Sequence, residues 1–282
     1  MLLGYNTNGF AHHDPGQAME LLAEIGYRSV AITIDHHVLN PYRATLADDL
    51  RTWRRWLERF ELRSAIETGA RFLLDSQTKH EPTLVTADPA CRSRRVNFLR
   101  RAIDIASELG SDCVSFWSGT LRDDAPADVA FERLTSGLSE VIDHAERRGV
   151  TLGFEPEPGM FIDSMSRYDE LLSRIDAPRF KLTLDVGHLH CQRETPIADF
   201  IERYASRLVN VHIEDMRAGV HEHLMFGDGE MDFPPIIDAL AKVGYQGGVH
   251  VELSRHSHDA PAAARRAFEF LNRLVPARRV EK

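Results

Sequence analysis

Residues 151–157, Thr-Leu-Gly-Phe-Glu-Pro-Glu, and residues 180–188, Phe-Lys-Leu-Thr-Leu-Asp-Val-Gly-His, are two β-rich runs separated by an amphipathic helical stretch over Ser164–Ile175. A strand, a helix and a second strand in that order place the two strands parallel, joined by a right-handed crossover. The unit recurs in both directions along the chain. Further strands are expected at Leu2–Phe10, Ser29–Asp35, Arg63–Gly69, Cys113–Gly119, Leu208–Asp215 and Gly248–Ser254. Further helices are expected at Asp14–Ile25, Leu46–Phe60, Cys91–Leu109, Ala127–Arg148, Ile197–Arg207, Phe233–Val243 and Pro261–Leu274. Asp14 before Pro15, with Gln17 three residues on, reads as a helix start with a capping-box partner. Gly26, Gly110, Gly149 and Gly244 each stand where a helix should stop. Eight strands alternating with eight helices, with no linker or low-complexity segment, predict an α/β chain built as a single (β/α)8 TIM barrel over residues 1–282. A doubly wound open sheet fits less well, because Phe10-Ala11-His12-His13 after the first strand is no glycine-rich turn.

Composition narrows the function. The 282 residues carry 34 Lys and Arg against 43 Asp and Glu, a formal charge of −9, which argues against a general nucleic-acid binder. Leu50, Trp53, Leu57 and Phe60 interleave with arginines but fall at helical spacing, the mark of a core-facing stripe with a solvated Arg face. Arg92, Arg94, Arg95, Arg100 and Arg101 likewise read as the outer face of the third helix. No apolar run reaches the roughly 18 residues of a membrane span, and the first ten residues lack the pattern of a signal peptide. Cys91, Cys113 and Cys191 have neither metal nor redox spacing and read as reduced thiols of a cytoplasmic protein.

In such a barrel the chemistry sits at the carboxyl ends of the strands. The last four strands end in Glu155, Asp185, His212 and Glu252, spaced by 30, 27 and 40 residues, one strand–helix unit each. Adjacent parallel strands would set them roughly 5 Å apart. Inward parity groups Gly153, Glu155 and Glu157 on one strand and Asn210, His212 and Glu214 on another, while Leu182, Leu184, Val209, Val211, Val249 and Val251 face the helices. Three converging carboxylates repel unless a cation joins them. With one imidazole they suit Mn²⁺, Mg²⁺, Co²⁺ or Zn²⁺. His188 is placed to meet a substrate hydroxyl, a second metal or a neighbouring ligand, and His221 and His223 lie in the loop after the seventh strand. His250 reads as an orienting or interior histidine, and His36 and His37 as residues of the mouth. His12, His13, His80 and His144 read as surface residues.

The ordered set Glu155, Asp185-x-x-His188, His212-x-x-Asp215, Gly227-x-Gly229, Tyr245-x-Gly247 and Glu252 resembles the sugar phosphate isomerase/epimerase superfamily, the xylose isomerase-like barrels. That group includes the ketose 3-epimerases, hydroxypyruvate isomerase, inosose dehydratase and the type IV apurinic endonucleases. The resemblance implies one divalent metal on Glu155, Asp185, His212 and Glu252, with Glu155 and Glu252 also moving the proton and His188 contacting substrate. It implies no organic cofactor. The expected activity is epimerisation or isomerisation of a small sugar, ketose or polyol derivative through a metal-stabilised enediolate. A zinc phosphoesterase or a dehydratase of an inosose or keto-sugar is the alternative. Trp117, Glu67, His223 and Arg217 are further candidates for the sugar, and His188, His221 and His223 for a second metal. The third and fourth strand ends lack the histidines of a trinuclear centre, Glu157 matches no epimerase signature, and barrel relatives imply a homo-oligomer only by analogy.

Overall fold

Eight parallel strands close on themselves in this computed structural model, which describes residues 1–275. They are β1 (Leu2–Asn6), β2 (Ser29–Thr33), β3 (Arg63–Glu67), β4 (Val114–Phe116), β5 (Leu152–Phe154), β6 (Phe180–Asp185), β7 (Leu208–Ile213) and the last barrel strand, Gly248–Val251. The first and last strands pair in register from Leu2 with Gly248 to Tyr5 with Val251, which seals the barrel. Outside lie α1 (Pro15–Ile25), α2 (Leu46–Arg59), α3 (Pro89–Leu109), α4 (Ala127–Arg148), α5 (Met165–Leu172), α6 (Val186–Cys191), α7 (Ile197–Arg203), α8 (Pro234–Lys242) and α9 (Ala260–Leu274).

The strands are shorter than the sequence pattern suggests, because polar residues at their ends turn the chain. Asn6 accepts from the Asn8 amide and starts a 3₁₀ turn over Thr7–Phe10. Pro156 brings no N–H with which to extend β5. Asp185 caps α6 by accepting from the His188 amide at 2.9 Å, so His188 is helical rather than strand. Asp14 caps α1 as expected, accepting from the Gln17 amide.

After β7 the chain forms an antiparallel hairpin, β8 (Asp215–Arg217) with β9 (Val220–Leu224), where a loop was expected; the last barrel strand is therefore β10. Asp215 holds the segment that follows, accepting four amides: Met216, Gly227, Gly229 and Met231. The His-x-x-Asp and Gly-x-Gly motifs are thus one structural device. A side chain at Gly229 would collide with the Asp215 carboxylate.

Between the strands and the helix layer lies a continuous apolar core that includes Tyr5, Ile32, Ile66, Phe116, Phe154, Leu184, Val211 and Val251. Trp53 and Leu57 of α2 join it, as their spacing implied. Two residues depart from expectation. Arg95 is not on the outer face of α3 but wholly buried. Val209 sits at a register shift between β6 and β7, and its Cγ1 lies 3.2 Å from where a Gly153 Cβ would stand, so it does not face the helices.

Candidate metal centre and cavity

Strand parity delivers Glu155, Asp185, His212 and Glu252 to one place. A ligand atom from each lies within 4.8 Å of the others, and the first three residues are buried. His212 Nδ1 stands 3.1 Å from Glu155 Oε1 and 3.0 Å from Glu252 Oε2. Its Nε2 faces Glu67 Oε1 at 2.9 Å across the barrel, and the same oxygen accepts from Asn210 Nδ2 at 3.0 Å. Glu67 therefore fixes the ring with the proton on Nε2 and Nδ1 turned toward the carboxylates, the arrangement in which an imidazole presents a lone pair to a metal. Asn210 is held in turn by His250, whose Nδ1 donates to Asn210 Oδ1 at 2.7 Å while Ser29 Oγ meets Nε2 at 2.9 Å. Burial, with the nearby His212 charge, pushes His250 down to about 3 and keeps it neutral.

Charges in the cluster are strongly perturbed. Burial pushes the Glu155 carboxyl up to about 7 despite the neighbouring His212. Burial also works to raise Glu252, but His212, His223 and the Asn8 hydrogen bond outweigh it and hold the group below its usual range. For His212 the carboxylates of Glu67, Glu155 and Glu252 overcome burial, and the pKa rises. One positive charge among these oxygens thus has a defined place. Asp185 Oδ2 is buried with no hydrogen-bond partner among the described residues. Three carboxylates, one oriented imidazole nitrogen and an unpartnered oxygen fit a divalent cation.

A second cluster adjoins the first. His188 Nδ1 meets Pro156 O at 3.2 Å, and its Nε2 stands 3.0 Å from His221 Nε2. His221 and His223 are carried by β9, so the hairpin holds them over His188 rather than in a solvated loop. His223 Nδ1 faces Glu214 Oε2 at 3.7 Å. Glu214 is wholly buried with neither oxygen hydrogen-bonded among the described residues, and only a glycine at 187 leaves it room. Burial works to lower His223, but Glu214 outweighs it and pushes the imidazole up to about 10. Burial takes His188 down to about 4.

Both clusters open into a cavity of about 650 Å³ at the carboxyl ends of the strands. Trp117 and Glu157 line it, and burial pushes the Glu157 carboxyl well up. Arg217 does not line it: the hairpin turns the side chain outward, where Nη2 donates to Asp228 O at 2.9 Å. Asn8, Arg71, Lys79, His12 and His80 line it without having been foreseen. Asn8 Nδ2 donates to Glu252 Oε1 at 2.8 Å, and His80 packs edge-on to Trp117. Asn8 lies in the 3₁₀ turn that replaces the end of the expected first strand, and the other four come from loops, where periodicity says nothing; His12 and His80, read as surface residues, line the cavity instead. His36 and His37 line an adjoining cavity of about 480 Å³. Among the described residues, no helix is long and apolar enough to cross a membrane.

Residues 19–274 match the family model of the xylose isomerase-like TIM barrel. L-ribulose-5-phosphate 3-epimerase UlaE of Salmonella heidelberg is 27% identical over 247 residues, covering 87% of this chain and 84% of that protein. An L-ribulose 3-epimerase structure superposes with a TM-score of 0.77 at 20% identity, covering 97% of this chain and 94% of the other. A structure of IOLI protein with a bound zinc atom gives 0.78 at 17% identity, with 98% of each chain covered.

Proposed function

The chain belongs to the xylose isomerase-like TIM-barrel family, and from that premise we propose that it is a divalent-metal-dependent epimerase or isomerase of a small ketose. The observation that carries the reading is the approach of Glu155 and Glu252 to a single imidazole nitrogen, at 3.1 and 3.0 Å, at the floor of an open cavity. Glu155, Asp185, His212 and Glu252 would hold the ion. When bound, the ion supplies Lewis-acid polarisation of the ketose carbonyl and offsets the charge that develops when the adjacent C–H is lost.

The chain's own residues do the rest. One of the two glutamates takes and keeps the proton from the carbon beside the carbonyl, and the other, protonated beforehand from solvent, delivers its own proton to the opposite face, inverting that carbon. Without the ion, burial pushes the Glu155 carboxyl up to about 7 while His212 and its neighbours hold Glu252 below its usual range, so the two carboxyls differ in environment. Return by a single glutamate to the neighbouring carbon would give aldose–ketose isomerisation instead. His188, His223 and Glu157 supply polar contacts for substrate hydroxyls, and Trp117 a flat apolar wall for a sugar's C–H face. The names of the relatives, a ribulose-5-phosphate and a ribulose 3-epimerase, support the ketose class.

Incubation with metal and a ketose panel in deuterated water tests this: deuterium should enter the carbon beside the carbonyl. Glu155→Gln and Glu252→Gln should each lower exchange by about 10²–10⁴-fold. Product inversion without exchange, or full exchange in both variants, overturns it. The His188–His221 contact favours a second reading, a metal-dependent phosphoesterase with another ion on His188, His221 and His223. Two metals per chain together with cleavage of a phosphoester would establish that reading; one metal and no cleavage would remove it. A dehydratase of an inosose or keto-sugar would be distinguished by loss of water in the product.

A further inference from the structure

The main cavity changes sign between floor and rim. Its floor carries Glu67, Glu155, Glu157 and Glu252, whereas the charged residues of its rim are Arg71, Lys79 and Arg255, with no carboxylate among the lining residues at that level. Arg255 is engaged by Glu222 at 2.9 Å. Arg71 and Lys79 both come from the loop between β3 and α3. That loop closes on itself where the His80 amide donates to Arg71 O at 2.6 Å. Its stem holds three non-glycine residues at positive φ, Ala70 at 58°, Arg71 at 40° and His80 at 69°. Side-chain-bearing residues seldom adopt that conformation, and when several do so around a site the strain is retained for what it positions.

Arg71 links the rim to the floor. Its Nη1 lies 3.3 Å from Asp35 Oδ2 and its Nη2 3.4 Å from the Asn8 carbonyl, while the Asn8 side chain donates to Glu252. Adding the reach of one asparagine, the guanidinium is at most about 11 Å from the Glu252 carboxylate. A five- or six-carbon ketose with its carbonyl at the floor extends roughly 6–8 Å to a terminal phosphorus, plus a ligand distance at each end. Lys79 has no ion-pair partner among the described residues and is exposed in the lining of the same cavity. An arginine held from two sides offers a fixed fork, and a lysine adds a mobile point charge; together they suit a dianion better than a single carboxylate.

We propose that Arg71 and Lys79 form an anion subsite and that the substrate is a ketose phosphate rather than a free ketose. The subsite rests on the preceding reading only for the carbonyl end of the substrate. The experiment compares kcat/KM of the metal-loaded protein for pentulose 5-phosphates and for the same pentuloses without phosphate. The phosphorylated form should be preferred by about 100-fold or more, and Lys79→Ala and Arg71→Ala should each cut that preference about tenfold, chiefly through KM. Arg71→Lys should restore part of it. In parallel, inorganic phosphate alone should raise the melting temperature of the wild type, and less so that of Lys79→Ala, whose side chain is exposed and makes no ion pair among the described residues. Equal kcat/KM for both substrate forms, or equal losses on both in the variants, together with no response to phosphate, overturns the subsite while leaving the epimerase reading intact. A phosphate response that depends on Lys79, with no exchange on any ketose, keeps the subsite and removes the epimerase reading.

Discussion

His212 and His223 are each faced by a buried glutamate, Glu67 in one case and Glu214 in the other. Such carboxylates govern which nitrogen of an imidazole is free to act. Glu67→Gln keeps the shape but withdraws the charge behind His212 Nε2, so affinity for Mn²⁺ or Zn²⁺ should fall about 10–100-fold. Calorimetric titration of metal into the wild type and variant checks this; an unchanged dissociation constant would show that Glu67 does not orient the ring. The four proposed metal residues could be picked out because each stands within one residue of a strand's carboxyl end, and inward parity sets the direction of every second side chain. Glu67 was legible as a polar strand end, but its partnership with His212 was not, since the two meet across the barrel from residues 145 positions apart. Arg217 was misplaced for a local reason: a hairpin, not a loop, carries it, and its side chain falls on the outer face.

At the scale of elements, α3 and the loop before it departed most from the pattern. Arg95, grouped by its charge with the arginines of the outer face, falls at helical spacing with the buried Phe98, Leu99 and Ala102; its guanidinium lies 4.5 Å from the Trp117 ring centroid and donates to Thr68 O at 2.9 Å. Its Nε and Nη1 have no hydrogen-bond partner among the described residues. Charge led the sequence reading to put it outside, but a long aliphatic stem and a flat cation fill an apolar space well. Arg95→Ala should therefore cost about 2–4 kcal/mol through the cavity it leaves, and Arg95→Met should recover most of that. Urea unfolding decides; equal losses in both variants would place the value in the charge rather than the packing. His80, in the same loop, is brought down to about 4 by burial, against an ordinary 6.5. The folded protein thus refuses a proton that the unfolded chain accepts. The stability tied to this group is complete above pH 6.5 and drains away as pH falls toward about 4. His80→Gln should lose less stability than the wild type between pH 7.5 and 4.5, measured by urea midpoints; parallel losses would count against it. The β8–β9 hairpin was hard to read from sequence, because Val220-His-Glu-His-Leu224 carries no apolar–polar alternation and its strand is only partly buried.

For the whole molecule, the alternation of strands and helices sufficed to predict a closed barrel, because each unit can bury its apolar face only against its neighbours. The −9 charge is unevenly spent, with Glu155, Asp185, Glu214 and Glu252 gathered at one end of the barrel. A cation bound there should stabilise the native state by mass action, so the melting temperature should rise with added Mn²⁺, Co²⁺ or Zn²⁺ and fall back with a chelator. Thermal unfolding with and without metal reads this directly, and no shift for any ion would remove the proposed centre. The seam where β1 meets β10 has a further consequence. Glu252 follows the last barrel strand and Asn8 follows the first, and their 2.8 Å hydrogen bond crosses the line along which the two ends of the chain meet. A growing polypeptide would hold Glu155, Asp185 and His212 well before Glu252 exists to complete the set. The four-residue set is therefore complete only once the last strand has closed the barrel against the first.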